Sequence, residues 1–592
     1  MRISRRHLVG LMAATALTPR PALAQGDAAA RLRDLLDASE AADVRRNPLG
    51  AVRKGAAPAG PAFVDPLSDG YRAALLADKT RELAALNAID RAALPPTDRI
   101  AYDVFDYRTR QSLGFVESGL FDVTRKTPLN ASFGLQVEFP DFAADASYAS
   151  LADYEAGLAR LEGFAGHLAS TIDWLKRGRA EGYVQSKVIA ANVLAQVDAM
   201  LKIAPADSPF MAVTKKMPNA LSATDRERLA KAYAEVTERR IYPGYHLWQT
   251  YLRETYLPAA TEAPGRWAMK DGAALYAADL ARHTTTTMSA AEIHALGLTE
   301  VTRIRAEMEK VRQDVGFKGD LKAFFEHVRT DPRYYYTKPA DLLARFKAIE
   351  DKIWPAIPKL FHNRPKAPFE VRPLPALGDQ RGTGYYRAGP PDGVSPGILF
   401  FNMSMLNTRP IPTLETLTLH EGIPGHHFQI TLARENAALP PLLRYGSSTA
   451  YSEGWGLYAE SLGRKLCMFT DPMQWFGHLD MEMLRAVRLV VDTGLHAQRW
   501  ERQRAIDYML DNTSMAPRDV AVEIDRYISH PGQACSYKIG ELKMKALREK
   551  AATALGSRFD VRDFHAQVLD TGALPMAVLE AKIDGWLAAP PA

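Results

Sequence analysis

The sequence predicts a mainly α-helical protein with one small antiparallel β-sheet, set just before the segment richest in chemistry. Three observations predict it. Apolar residues recur at three- and four-residue spacing over most of the chain from residue 27 onward. Pro- and Gly-bearing punctuation separates these stretches, with no fixed-period repeat. Only around residues 368–402 does the pattern change to short β-type runs.

The first residues stand apart. Arg2, Arg5 and Arg6 precede the apolar run 8–17, and Ala22-Leu23-Ala24 surrounds a cleavage position near Ala24. These are the basic, apolar and small-residue regions of a secretory signal, and the run is too short to span a bilayer. Ser4-Arg5-Arg6-His7-Leu8 resembles the twin-arginine export signal. Residues 1–24 are therefore expected to be a signal peptide, and 25–592 a single mainly helical domain, periplasmic or secreted.

Helices are expected over 28–36, 72–86, 151–176, 220–247 and 290–313, broken at 48–66, 204–209 and 262–265. The Ala/Pro/Gly-rich stretch 48–61 reads as a surface loop. Residues 368–373, 384–387 and 397–402 read as strands, with 388–393 supplying turn chemistry between the last two. Helices then resume at 414–420, 426–436, 452–467, 481–502 and 516–528.

Composition narrows the class. Hydrophobic residues make up 47% and charged residues 24%, a globular balance. The 74 basic and 69 acidic residues leave +5, but residues 1–24 hold four arginines and no acid, so the mature chain stands near +1. That balance leaves no electrostatic footprint for nucleic acid, and no membrane span is expected in the mature chain. Cys467 and Cys535 lie in no C-x-x-C motif, which excludes a thiol-rich metal site. They are either a pair in an oxidising compartment or two small buried hydrophobes.

Three of the chain's 14 histidines fall between residues 420 and 427, beside Glu421. The zinc-protease motif H-E-x-x-H sets two histidines four apart on one helical face, with a glutamate that activates water. Here Pro424 occupies the fourth position after His420. In an unbroken helix His426 would lie about 120° off the face of His420, whereas His427 would lie within about 20° of it but about 10 Å further along. Pro424 cannot continue the helix, and Gly425 tolerates backbone angles that other residues avoid. A break there can bring either histidine to His420, so spacing alone leaves both open.

Other residues carry weaker signals. Glu453, taken alone, reads as an acid at a helix N-terminus. Glu460 lies seven residues on, near the same face, where it would support a ligating histidine or meet solvent. Arg488, Asp492 and His496 share one helical face, ordinarily a solvated one. Tyr537 alone is as readily a core residue as a functional one.

The run His420-Glu421-Gly422-Ile423-Pro424-Gly425-His426-His427, followed by Ser452-Glu453-Gly454-Trp455-Gly456-Leu457-Tyr458-Ala459-Glu460, resembles the DUF885 family of bacterial proteins, grouped with the gluzincin metallopeptidases. The resemblance extends to 485–496 and 533–540, covering about 380–545 and most of the mature chain. It implies a zincin-like helical fold with His420, His426 and Glu453 as metal ligands and Glu421 as general base. It places His427, Glu460, Asp492 and Arg488 behind the ligands or facing substrate, with Asp492 orienting a zinc-bound histidine. His496 and Tyr537 are the candidate donors to an oxyanion.

The expected cofactor is one zinc ion, although two histidines and a carboxylate also suit iron or manganese. The expected reaction is hydrolysis of a peptide or other small amide. An extended peptide would pair with the strand at 397–402. Two competing readings are a hydrolase of non-peptide amides or esters and a catalytically idle periplasmic protein that binds metal or peptide.

Overall fold

A computed structural model of the chain describes residues 22–53, 60–374 and 384–589. Most of the expected signal peptide, residues 1–21, and part of the expected loop, residues 54–59, lie outside the described residues.

Helices dominate, and local chemistry explains their starts. Ala22–Arg46 (α1) is followed by Asp69–Asn87 (α2), where Ser68 accepts a hydrogen bond from the Tyr71 N–H. Pro96–Glu117 (α3) opens on proline, and Leu151–Ala180 (α4) on a capping box of Ser150 with Asp153. Ala290–Asp314 (α5) repeats that device with Ser289 and Glu292. The loop expected at 48–61 needs one correction: Pro48–Arg53 is a short helix that begins on its proline. No helix among the described residues is long and apolar enough to cross a membrane.

The three strands form where expected, as Phe369–Pro373 (β1), Gly384–Arg387 (β2) and Gly397–Phe401 (β3), but the sheet is mixed rather than antiparallel. Its order is β1-β3-β2. β2 and β3 form an antiparallel hairpin with Tyr386 opposite Leu399, whereas β1 runs parallel to β3 with Phe369 opposite Gly397. The five residues of β3 are all buried, as their unbroken apolar run requires of a central strand. β3 is thus paired on both sides and has no free edge for a substrate. The expected pairing of a peptide with residues 397–402 is corrected on that ground.

The helices that carry or surround the predicted site residues follow the sheet: Leu414–Glu421 (α6), His426–Glu435 (α7), Thr449–Ser461 (α8), Pro472–His496 (α9), Pro517–Ser529 (α10) and Ser536–Leu555 (α11). One apolar core joins α4, α5, α9 and α10 through residues such as Phe164, Ile304, Val487 and Ile524. A second core joins the sheet to α6, α7, α8 and α11 through Phe401, Leu419, Phe428, Trp455 and Met544. Trp475, near the start of α9, packs against both. The two cores flank the site.

From Phe476 to His496 every residue of α9 but Met481 is buried, so its charged residues find partners within the protein. Glu482 accepts a hydrogen bond from Lys538 Nζ at 2.7 Å, and Lys538 also reaches Glu541 at 2.7 Å and Glu300 at 3.2 Å. This network ties α5, α9 and α11 together one residue from Tyr537. α11 in turn lies along α8, where Gly454 meets Gly540.

Candidate metal centre

The break expected at Pro424 separates α6 from α7. The Gly422 and Ile423 N–H groups both donate to the Thr418 carbonyl, at 2.9 and 3.1 Å, ending α6. The chain then folds back so tightly that a Cβ on Gly425 would stand 1.9 Å from the His420 carbonyl oxygen. Only glycine fits there. Trp455 of α8 donates its indole N–H to the Pro424 carbonyl at 2.8 Å, which fastens the turn to the helix carrying Glu453.

This turn brings the two histidines together. The His420 and His426 rings stand 4.7 Å apart, nearly perpendicular. Donor atoms of His420, Glu421 and His426 lie within 4.8 Å of one another. Glu453 Oε2 is 3.6 Å from His420 Nε2 and 3.3 Å from His426 Nε2. Two ligands of a tetrahedral zinc ion stand about 3.4 Å apart, given zinc–ligand bonds of about 2.1 Å. The two Glu453 spacings match that geometry, so Glu453 fits one ion together with the histidines. Glu453 lies in the second turn of α8 and not at its N-terminus, which removes the helix-dipole account of it.

The electrostatics also suit a cation. Burial works against charge on His420, yet hydrogen bonds to Glu453 and Glu460 raise its pKa to about 9. Burial likewise opposes charge on Glu453, but His420 and His426 hold its carboxyl well below the usual range. Glu460 sits behind the site: its Oε1 accepts from His420 Nδ1 at 2.7 Å, and its other oxygen from the Thr416 hydroxyl at 2.9 Å. That contact directs the Nε2 lone pair of His420 toward Glu453 and His426. Glu453 and Glu460 therefore grip opposite edges of one imidazole, with Gly456 beneath it.

A Cβ on Gly456 would lie 2.6–2.9 Å from three atoms of the His420 ring. The Nδ1 edge is held by Glu460, so the ring does not swing clear. Gly456→Ala is expected to weaken metal binding about 10- to 100-fold while leaving the helical circular dichroism signal intact. Metal titration of the purified variant checks this.

The remaining predicted residues divide. His427 is fully buried; its Nε2 donates to the Ala367 carbonyl at 3.1 Å and its Nδ1 accepts from the Tyr386 hydroxyl at 3.0 Å. Burial lowers its pKa to about 4. It joins α7 to the sheet and points away from the ligands. His426 is half-buried at the cleft, and its Nδ1 has no hydrogen-bond partner.

Asp492 and His496 need correction. Asp492 accepts from the Tyr276 hydroxyl at 2.7 Å and the Gly532 N–H at 3.0 Å, and burial raises its pKa to about 7. It orients no ligand. His496 Nε2 donates to the Tyr527 carbonyl at 3.0 Å, and its Nδ1 accepts from the Arg266 N–H at 3.1 Å. Burial pushes its pKa down to about 3. Both ring nitrogens serve the backbone, so His496 is no oxyanion donor. Cys467 and Cys535 are unpaired, one exposed and one buried.

Tyr537 and Arg488 do reach the site. Both line a cleft of about 590 Å³ whose floor holds His420, Glu421, His426 and Glu453. The Tyr537 ring stacks on His420, with centroids 6.3 Å apart at 16°. Burial, reinforced by the charge of Glu453, raises the Tyr537 pKa, so the phenol keeps its proton. The edge strand β2 contributes Tyr385 and Tyr386 to the cleft, and α10 contributes Glu523 and Arg526. None of these four was singled out in the sequence. A polar residue on an amphipathic helix or on a short strand looks the same whether it faces bulk water or a cleft.

The fold and site define a mainly helical protein with a buried histidine–glutamate cluster at the floor of a cleft. The chain belongs to the DUF885 family, described as bacterial proteins of unknown function, whose model matches residues 48–583. A crystal structure from Colwellia psychrerythraea, of a protein provisionally described as a lipoprotein, superposes with a TM-score of 0.85 at 28% identity. The match covers 95% of this chain and 99% of that one. A second, from Shewanella oneidensis, is provisionally described as a lipoprotein of unknown function. It matches with a TM-score of 0.71 at 18% identity, over 94% of this chain and 99% of that one, and speaks for the fold alone. No curated protein matches the sequence.

Proposed function

We propose that the chain is an exported metal-dependent hydrolase of peptides, with one zinc ion held by His420, His426 and Glu453. The observation that carries this reading is the convergence of those three side chains, with Glu453 3.6 and 3.3 Å from the two histidines, Glu460 behind His420 and Glu421 alongside. A structural metal site has no need of a glutamate placed like Glu421. Kinship with gluzincin peptidases is part of the proposal and rests on the order of these residues. Export rests on the N-terminal signal pattern and on the lipoprotein description of the structural relatives.

A zinc ion bound there would polarise a scissile carbonyl and lower the pKa of water. The chain's own groups do the rest. Glu421 takes the proton of the attacking water and returns it to the leaving amine. The Tyr537 phenol, still protonated, donates to the oxygen on which negative charge develops. Glu460 keeps the proton of His420 on Nδ1 throughout.

Metal analysis of the purified protein, combined with a peptide-library assay, tests the reading. One equivalent of zinc is expected, with hydrolysis abolished by a chelator and restored by added zinc. A protein that carries no metal, or whose hydrolysis ignores the chelator, would remove it.

A further inference from the structure

One wall of the cleft carries more positive charge than its acids balance. Arg488 on α9 and Arg526 on α10 both donate to the same oxygen of Glu523, at 2.9 and 3.2 Å. Arg488 also donates from Nε to the Tyr527 hydroxyl at 2.8 Å, and that hydroxyl donates to Glu523. Burial would raise the Glu523 pKa, but Arg526 and Arg488 hold it at about 2. The trio therefore keeps one uncompensated positive charge. Next along α9, Arg485 adds none to spare, because its guanidinium faces Glu460 at 3.7 Å.

Two N–H groups of the pair are left over. Arg488 Nη1 and Arg526 Nε are buried without a hydrogen-bond partner among the described residues, although both residues line the cleft. The Arg488 side chain is only 8% exposed, so bulk water does not meet this need. A buried charge with unmet donors is costly unless something fills the place. Two guanidiniums that present planar N–H groups favour a carboxylate, which accepts two parallel hydrogen bonds.

The location sets which carboxylate. The Arg488 guanidinium lies 4.5 Å from the centre of the Tyr537 ring, and that ring stacks on His420. The pair therefore sits one aromatic ring beyond the metal centre. An extended chain advances about 3.3 Å per residue, so one or two residues bridge the scissile bond and this wall.

We propose that Arg488 and Arg526 bind the C-terminal carboxylate of the substrate, so that the chain releases a short fragment from free carboxyl ends. The proposal rests on the hydrolase reading and adds the polarity and length of what is cleaved.

Calorimetric binding tests it on the full protein carrying Glu421→Gln, which slows turnover. The probes are N-acetyl-Ala-Ala, its C-terminal amide, and N-acetyl-Ala-Glu-amide, whose only carboxylate is on a side chain. The free acid is expected to bind at least about tenfold tighter than either amide, the scale of a charge-assisted pair. Adding Arg488→Gln should erase that preference, and Arg488→Lys should restore part of it. Arg526→Gln, at a side chain 26% exposed, carries the same test should Arg488→Gln not fold. Equal binding of acid and amide would overturn the proposal. So would a preference for the glutamyl amide, no binding of any probe, or a preference that survives both arginine variants. Selective acid binding by a protein that hydrolyses no peptide would keep the carboxylate site but overturn the fragment release, together with the hydrolase reading it rests on.

Discussion

Glu421→Gln is expected to lower kcat/KM for a cleaved peptide about 10²- to 10⁴-fold, the usual contribution of a general base, with metal content unchanged. Glutamine keeps the size and one oxygen of the side chain but cannot take a proton at neutral pH. The variant also decides between two roles, because Glu421 stands close enough to His420 and His426 to act as a ligand. Retained zinc with lost turnover assigns Glu421 to proton transfer. Lost zinc assigns it to the ligand set, and full activity with zinc bound removes it from the chemistry. Elemental analysis beside steady-state kinetics separates these outcomes.

The neighbouring histidines should part just as sharply. His426→Ala is expected to leave purified protein with little or no zinc and no chelator-sensitive activity, since it removes one of three protein ligands. His427→Ala should keep its zinc and lose stability instead. That ring is fully buried and bonded to the Ala367 carbonyl and the Tyr386 hydroxyl, so truncation leaves a cavity and two unmet polar groups. The expected cost is about 2–4 kcal/mol, read by denaturant unfolding. Zinc loss from His427→Ala with retention by His426→Ala would reverse the assignment.

Local features were legible in the sequence and relations between distant segments were not. The ends of α6 and α7 lie within a residue of where Pro424 and Gly425 put them, because a helix cannot run through that pair. All three strands were found, yet β1 was paired wrongly. Consecutive strands suggest a meander, and nothing local says that β2 lies beyond β3. Asp492 and His496 were misplaced for a related reason. They share a face with Arg488, but a helix rises about 1.5 Å per residue. They therefore lie about 6 and 12 Å past it, beside Tyr276 and the Arg266 backbone. Face was readable from spacing; distance from the metal centre was not.

Glu460 shows the opposite case. Its seven-residue separation from Glu453 could have been read with Gly456 as one pattern, two acids flanking a position without a side chain. That pattern describes a slot for a flat ring. What occupies the slot comes from α6, and no spacing within α8 points to it.

The hydrogen bond from Trp455 to the Pro424 carbonyl has a consequence for when the ion arrives. It joins the turn that delivers His426 to the helix that delivers Glu453, using only protein groups. On the metal-site reading, the groups that would hold the ion are joined by the protein itself, and capture requires no coil-to-helix ordering. On the proposed reading, a chain exported in its folded state would take up zinc without refolding, its folding and its loading being separate events.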